Sequence, residues 1–476
     1  MAVAPVSAEV PPRATAASRR WWVLAIVVAA QFMFGVDAFI VNVALPTIAV
    51  ELHASAAEIE AVVAIYLIGY ATLVVTGGRL GDIHGTRAAF IAGVLGFTLT
   101  SLWCGLAGSG AELISARLAQ GATAALMVPQ VLATLHVLFA DAARGRAFAI
   151  YGGVLGLSGA VGFLLGGVLV TLDVAQLGWR SVFFVNVPCG LAIAAAAARL
   201  MPAVPRPAGS RLDLPGAAIL FLGLLGIIGP LLFGRDLHWA APVWGLMAAG
   251  ALLIAAFVHY ERAVARRGGM PLIDLKLFAA PVFARGLGAV FLFFFANLSF
   301  YFVLTLFMQG VLHFSALQAG GAMVPLALAF VAASRQAAAR TPRRGAWVMV
   351  EGCGIALAGL LALTLTLIVD AAPPSWLMAL PLTVFGYGQG FVMAPLSSAV
   401  LASVAKADAG AGSGLYGTTT QVANAAGVAV IGAVYLALHA AGAERAALFA
   451  ALGCVGVSIT LCAACLAWMR RGTSAG

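Results

Sequence analysis

Long, unbroken apolar runs constrain this chain more than any other feature. In hydrocarbon a backbone must satisfy its own hydrogen bonds, so only helices and closed barrels cross a membrane. A spanning helix needs about 20 mostly apolar residues. The runs here reach that length without alternating, so they read as helices. We count fourteen. The first six cover Trp22 to Val43, Glu58 to Val75, Thr86 to Leu106, Ala111 to Phe139, Arg146 to Leu172 and Phe183 to Leu200. A pair follows at Leu214 to Phe233 and Ala240 to Tyr260. Six more run Phe283 to Met308, Ala316 to Ala333, Gly345 to Val369, Trp376 to Val404, Gly412 to His439 and Glu444 to Met469. Of the 476 residues, 63% are hydrophobic and 9% charged. Soluble domains carry about 25% charged residues, so this chain has too few charges for a water-facing surface.

Charge gives the orientation. Lys and Arg accumulate in cytoplasmic loops. Arg13, Arg19 and Arg20 precede the first run, Arg79 and Arg87 follow the second, and Arg144 and Arg146 the fourth. Arg199, Arg206 and Arg211 follow the sixth, and Arg262, Arg266, Arg267, Lys276 and Arg285 follow the central pair. Arg335, Arg340, Arg343 and Arg344, then Lys406, then Arg470 and Arg471 complete the set. All fall on one side of a fourteen-helix count, while Arg180, Arg235 and Arg445 fall on the other. Both termini are therefore expected in the cytoplasm. The net charge of +9 reflects this topology and calls for no nucleic-acid partner. The abundance of Ala, Gly and Arg over Lys points to a GC-rich bacterium, and so to the bacterial inner membrane.

The expected organisation is a disordered N-terminus over 1–21, a six-helix bundle over 22–200 and a linker over 201–213. The two inserted helices occupy 214–260, a second linker 261–282, the second six-helix bundle 283–469 and a cytoplasmic tail 470–476. Ser18-Arg19-Arg20 imitates a twin-arginine export signal, but the following run is long, holds Asp37 and lacks a clear small-residue cleavage site. Cys462 and Cys465 form a Cys-x-x-Cys inside an apolar run, where packing is expected rather than metal or redox chemistry.

Four segments carry more than hydrophobicity. After the second run stands Gly78-Arg79-Leu80-Gly81-Asp82-Ile83-His84-Gly85-Thr86-Arg87. It reads as a tight cytoplasmic loop: its glycines permit close helix approach, Asp82 can accept from a helix N-terminus, and Arg87 can pair with a carboxylate or lipid phosphate. The first run closes on Asp37-Ala38-Phe39-Ile40-Val41-Asn42-Val43-Ala44-Leu45-Pro46. An ionisable residue inside a spanning helix is costly and points to function. The fourth run carries Arg117-Leu118-Ala119-Gln120-Gly121 and continues to Pro129. The fifth has Gly152, Gly153, Gly156, Gly159, Gly162, Gly166 and Gly167, a small-residue face for close packing.

Together these segments resemble the major facilitator superfamily, and within it the fourteen-spanner drug:proton antiporter family. Trp179, Arg180, Phe183, Asn186, Pro188 and Gly190 match that family at the sixth helix, and Gly414, Gln421 and Gly427 at the penultimate one. The resemblance implies an all-α integral membrane protein with the major facilitator fold: two six-helix bundles and two extra central helices. It also implies proton-coupled export of amphipathic small molecules such as drugs or antibiotics, driven by the proton gradient without a cofactor or catalytic residue. The chain departs from the family pattern at Phe163, where a proline usually follows Gly162. It departs again at Ile83 and Thr86, where basic residues are common. Arg335 to Gly345 stands at the equivalent loop of the second half without its acid, a degenerate copy consistent with two related halves.

Helical rise places the embedded charges. Asp37 lies roughly 22 Å from the cytoplasmic start of its helix, at ~1.5 Å per residue. That is ~8 Å from the far side of a core of about 30 Å. Arg117, on a helix starting outside, lies ~9 Å deep. Opposite charges at one depth gain by pairing, so the two are expected to face each other, or to share a water, beside the central cavity. Burial favours a neutral acid and a neighbouring guanidinium favours the carboxylate. A group held between the two can take a proton on one side and release it on the other. The resemblance assigns Asp37 this proton-coupling role and Arg117 a relay role, with Asn42, Pro46, Gln120 and Gly121 as the motif around them. Gly78, Asp82, Gly85 and Arg87 form its gating loop, and Gly156, Gly162, Gly166 and Gly167 its glycine face on helix 5. Glu351 is read as a further embedded acid, ~9 Å into its helix, in a snorkelling or hydrogen-bonded structural role, with cation binding as the alternative.

Substrate-facing candidates are Tyr66 and Tyr70, Asn297 and Tyr301, Gln389 and Met393, and Gln421 and Asn424. Polar residues in embedded helices face the interior, and aromatics and Met give adaptable apolar contacts. Export of a single endogenous metabolite or a lipid fits the same residues. From another class, an intramembrane enzyme or a receptor is the alternative, disfavoured because the chain shows no His-Glu-x-x-His, no Gly-x-Ser-x-Gly and no soluble output domain; absence of transport under an imposed pH gradient would revive it. A monomer is expected, because two internal halves form the pathway.

Overall fold

The computed structural model describes residues 14–471 apart from 140, 174–175, 203–212, 235–236, 270, 274, 371 and 405–408. These residues form fifteen α-helices and no strand. The first half holds α1 (Ala14–Glu51), α2 (Ala56–His84), α3 (Thr86–Leu106), α4 (Gly110–Leu138), α5 (Asp141–Leu172), α6 (Ser181–Phe184) and α7 (Asn186–Leu200). The inserted pair is α8 (Leu214–Phe233) and α9 (Ala241–Arg266). The second half holds α10 (Pro281–Gly310), α11 (Ala316–Arg344), α12 (Trp347–Val369), α13 (Ser375–Ala402), α14 (Ala409–Ala440) and α15 (Glu444–Arg471). Thirteen spans are long and apolar enough to cross a membrane, with Gly178–Leu200 counted as one; α5 adds an apolar stretch at Leu157–Leu172.

Local chemistry starts the helices. Ser55 and Ser315 close capping boxes with Glu58 and Gln318, and Ser109 caps α4. Asp213 caps α8, and Pro215 in its first turn gives up an N–H that has no helical acceptor there. Several elements outrun the apolar runs. α1 begins at Ala14, inside the segment expected to be disordered, and continues through Pro46 to Glu51. α2 runs to His84, so the expected loop is its last turns plus Gly85. The expected loop from Arg335 to Gly345 is likewise the end of α11 as far as Arg344. Hydropathy marks the hydrocarbon, whereas a helix extends into the polar layer as long as its backbone bonds close. The sixth span is broken: a 3₁₀ turn, Gly178–Arg180, leads into α6, and α7 restarts at Asn186. Pro188 lacks the N–H that would bond back to Phe184.

Within the first half, α2 packs on α4, α3 on α4 and α7, and α1 on α5. In the second, α13 packs on α11 and α12, and α10 on α14 and α15. The halves meet along α5–α11 and α2–α14, and α8 lies against both α2 and α14. Glycine sets the α2–α4 crossing. A Cβ at Gly77 would stand 2.0 Å from the Ala125 carbonyl oxygen, and one at Gly121 2.1 Å from that of Tyr66. Real side chains never come so close, so the two backbones touch. Large apolar side chains remain exposed on the outer helices, among them Leu99, Leu252, Leu361 and Trp376, as expected where the solvent is lipid.

Candidate functional site

Asp37 on α1 and Arg117 on α4 meet as expected. Arg117 Nη1 lies 2.7 Å from Asp37 Oδ2, and the side chains are 1% and 0% exposed. The pair is sealed inside the first half. Its contacts come from α2, α3 and the α6–α7 span as well as from α1 and α4. Asp37 Oδ1 accepts from Gln120 Nε2 at 3.0 Å and from Asn186 Nδ2 at 2.8 Å. Both amides also reach Ser101 Oγ, at 2.8 and 3.3 Å. Arg117 gives its Nε–H to the Val62 carbonyl at 3.1 Å and shares Nη1 with Gln120 Oε1 at 2.7 Å. Its guanidinium lies 4.0 Å from the centroid of the Tyr66 ring and 5.8 Å from that of Phe183. Removing two charges from water costs more than their attraction returns unless further hydrogen bonds satisfy them. Here both carboxylate oxygens and the inner guanidinium nitrogens have partners, so the ion pair is satisfied, while the hydroxyl of Tyr66 beside it has no hydrogen-bond partner.

The rest of the helix 1 and 4 motif shapes the surroundings. Asn42 is buried and bonds back to the Ala38 and Phe39 carbonyls, and its Oδ1 has no partner. Pro46 has no N–H for the Asn42 carbonyl, so α1 is weakest just beyond Asp37. Gly121 lets α2 and α4 touch beside Tyr66.

The segment around Asp82, expected to gate, departs from expectation at the side chains. Asp82 is exposed, and among the described residues no hydrogen bond joins it to a helix N-terminus. Arg87 Nη2 donates to the Ala198 carbonyl in the last turn of α7, a helix C-terminus rather than a carboxylate. Arg79 Nη2 donates to the Pro271 carbonyl. Gly85 has φ +95°, where any side chain is strained. Gly78 meets Pro129 only at ordinary distance, 3.7 Å; the close contact falls instead at Gly81, against the Gln130 side chain.

The helix 5 glycines divide between two neighbours. Gly162 and Gly166 face α1, their Cβ positions 3.0 Å from the Val36 and 2.9 Å from the Ile40 carbonyl oxygens. Gly167 faces the other half, 2.7 Å from the Ala316 carbonyl. The surroundings of Gly156 lie outside the described residues. Phe163 leaves α5 unbroken and packs with Phe39 of α1 and Tyr301 of α10, ring centroids 5.4 Å from each. The backbone of Phe163 also lies under Gly320 of α11.

The substrate-facing candidates do not form one group. Tyr66 belongs to the charge centre, under Arg117. Tyr70 lies against Phe34, centroids 5.1 Å apart. Tyr301 donates to Gln389 at 2.7 Å, and Asn424 to Gln421 at 3.0 Å. Asn297 and Met393 are half-buried. Glu351 is not embedded: it is 37% exposed and pairs with Arg344 at 3.0 Å and Arg340 at 3.7 Å. The helical extension of α11 brings those arginines to it.

Three buried polar residues escape sequence reasoning. Ser101 carries no charge and sits in an ordinary apolar run. Asn186 is legible only as part of a motif, not as a ligand of Asp37. Glu60, near the start of α2, is 1% exposed and faces Gly432 of α14, whose Cβ would stand 2.6 Å from Glu60 Oε1. A carboxyl that deep, at the seam between the halves, is signalled only by its place inside a spanning helix.

The profile of the Major Facilitator Superfamily matches residues 27–428. Among relatives, the chain is 34% identical to a probable actinorhodin transporter of Streptomyces coelicolor, over 92% of this chain and 78% of that one. It is 38% identical to the cephamycin export protein CmcT of Amycolatopsis lactamdurans, over 86% and 83%. It is 34% identical to the puromycin resistance protein pur8 of Streptomyces alboniger, over 88% and 84%. A crystal structure of a bacterial homologue of the human lysosomal transporter Spinster, inward-facing and occupied, superposes with a TM-score of 0.67 at 17% identity, covering 95% of this chain and 97% of that one. Identity at that level speaks for the fold alone.

Proposed function

The chain belongs to the major facilitator superfamily, a multi-pass family of membrane transporters rather than enzymes, and from that premise we propose that it is a proton-coupled exporter of amphipathic small molecules of the antibiotic class. It works by alternating access, as a monomer of the fourteen-spanner type, in the bacterial inner membrane with both termini in the cytoplasm. The observation that carries this reading is the sealed Asp37–Arg117 centre. Protonating Asp37 removes the counterion of a buried guanidinium, and an uncompensated buried charge is strongly destabilising. Proton binding therefore forces α1 and α4 to readjust, just where Asn42 and Pro46 weaken α1. That readjustment is the coupling step: a proton enters from outside, the halves change their mutual packing, and the proton leaves inside while the drug moves out.

The contacts between halves agree with such a device. Gln309 Nε2 donates to the Val43 carbonyl at 2.9 Å, Gly167 lies on Ala316, and Gly432 lies on Glu60. All three stand toward the helix ends remote from the termini, which supports an arrangement closed on the outer side. The names of the relatives support an antibiotic or a similar amphipathic product as cargo. The test is a resistance and efflux profile: cells expressing the protein should extrude several structurally unrelated amphipathic drugs, and Asp37→Asn should abolish this at unchanged expression. Extrusion of a single compound would instead favour the dedicated exporter of one metabolite.

A further inference from the structure

Asp213 and Glu261 meet where the inserted hairpin joins the segment leading to α10. Asp213 Oδ1 accepts from the Gly216 amide at 3.0 Å and from the Tyr260 hydroxyl at 2.8 Å. Glu261 Oε2 accepts from the Ile273 amide at 2.8 Å. The residues are 7% and 1% exposed. Their other oxygens, Asp213 Oδ2 and Glu261 Oε1, are buried without a hydrogen-bond partner. Both lie within 2.8 Å of the point where a Gly216 side chain would begin. The two orphaned oxygens therefore converge on one spot that only glycine leaves open. Among the described residues neither acid has an ion-pair partner.

The other titratable groups nearby do not fill the gap. Tyr260 already gives its proton to the far oxygen of Asp213. His259, Arg262, Arg266 and Lys276 line, with Glu261, a cavity of about 390 Å³. From α2, which packs on α8, Arg79 donates to the Pro271 carbonyl, two residues before Ile273. Two buried carboxylates facing each other repel, and each orphaned oxygen loses hydration without return. One proton cures both faults, because a neutral carboxyl donates through one oxygen to a carboxylate.

We propose that Asp213 and Glu261 share a single proton between Oδ2 and Oε1, a protonation site separate from Asp37 that fastens the inserted hairpin to the 271–273 segment and, through Pro271, to Arg79 of α2. The proton comes from water reached through the cavity that Glu261 lines. With it bound, the pair carries one negative charge and holds the hairpin's base against the segment. As the pH on that face rises, the proton returns to water, the two charges repel and the fastening loosens. The inference does not depend on the substrate or on proton-driven export.

The test is hydrogen exchange at the Leu272 and Ile273 amides in the full-length protein in lipid nanodiscs, over a pH series corrected for intrinsic exchange. Protection in the wild type should fall as pH rises. Glu261→Gln supplies a permanent donor toward Asp213 Oδ2, so its protection should stay high and lose the pH dependence. Asp213→Asn, with its amide aimed at Glu261 Oε1, should do the same and serves if the first variant does not fold. An unchanged pH profile in the folded variant would overturn the shared proton. So would wild-type protection restored at high pH by Na⁺, K⁺ or Mg²⁺, which would put a metal cation at the spot.

Discussion

Asp37 and Arg117 show what a buried charge pair demands of its neighbours. Removing one partner of such a pair costs about 3–5 kcal/mol, because the other charge is left buried and alone. Arg117→Met should therefore lower thermal stability by that order, and adding Asp37→Asn should restore part of the loss. A differential scan of the two single variants and the double in one detergent would read this out; strictly additive losses would deny the coupling. Glu351→Gln should cost less than about 1 kcal/mol, as expected for a half-exposed pair, and leave transport unaltered. Depth along the helices brought Asp37 and Arg117 together from sequence, because a charge inside an apolar run cannot hide. Ser101 and Asn186 carry no such mark, although they complete the network. Glu351 was misplaced for a different reason. The apolar run begins at Gly345, but α11 carries Arg340 and Arg344 past that level and alongside Glu351.

At the scale of elements, helix crossings decide which motions are open. The α5–α11 contact joins the halves through Gly167 and Gly320, each of which would place a Cβ within 2.7 Å of the opposing backbone. Gly167→Leu should wedge this crossing apart and favour the arrangement in which the outer ends separate. Spin-label distances between the outer ends of α5 and α11 should lengthen by several ångströms; an unchanged distribution would show that the contact tolerates the side chain. Gly77→Val attacks a crossing within one half, where the Ala125 carbonyl stands 2.0 Å from the new Cβ. It should destabilise by about 1–3 kcal/mol or more, as overpacking does, which a melting curve would show. The small-residue face of α5 was legible from its spacing, but its division between α1 and α11 was not, since spacing does not name the neighbour. Helix ends were legible only to the limit of the apolar runs. The polar ends of α1, α2 and α11 escaped, because outside the hydrocarbon hydropathy stops reporting the backbone.

The described residues form two bundles packed along two main seams, with the inserted hairpin laid across one of them. That architecture followed from charge alternation and ordered motifs. The position of α8 against both α2 and α14 did not, because tertiary packing in lipid leaves no hydrophobic pattern to read. On the proposed mechanism this frame moves when Asp37 changes its protonation. The most direct measurement uses proteoliposomes with an imposed pH gradient, loaded with an amphipathic drug that the protein extrudes from cells. The wild type should move the drug against the proton flow, stop when the gradient is collapsed, and fail with Asp37→Asn although that variant still binds the drug. Drug movement undiminished without the gradient, or preserved in Asp37→Asn, would contradict the account.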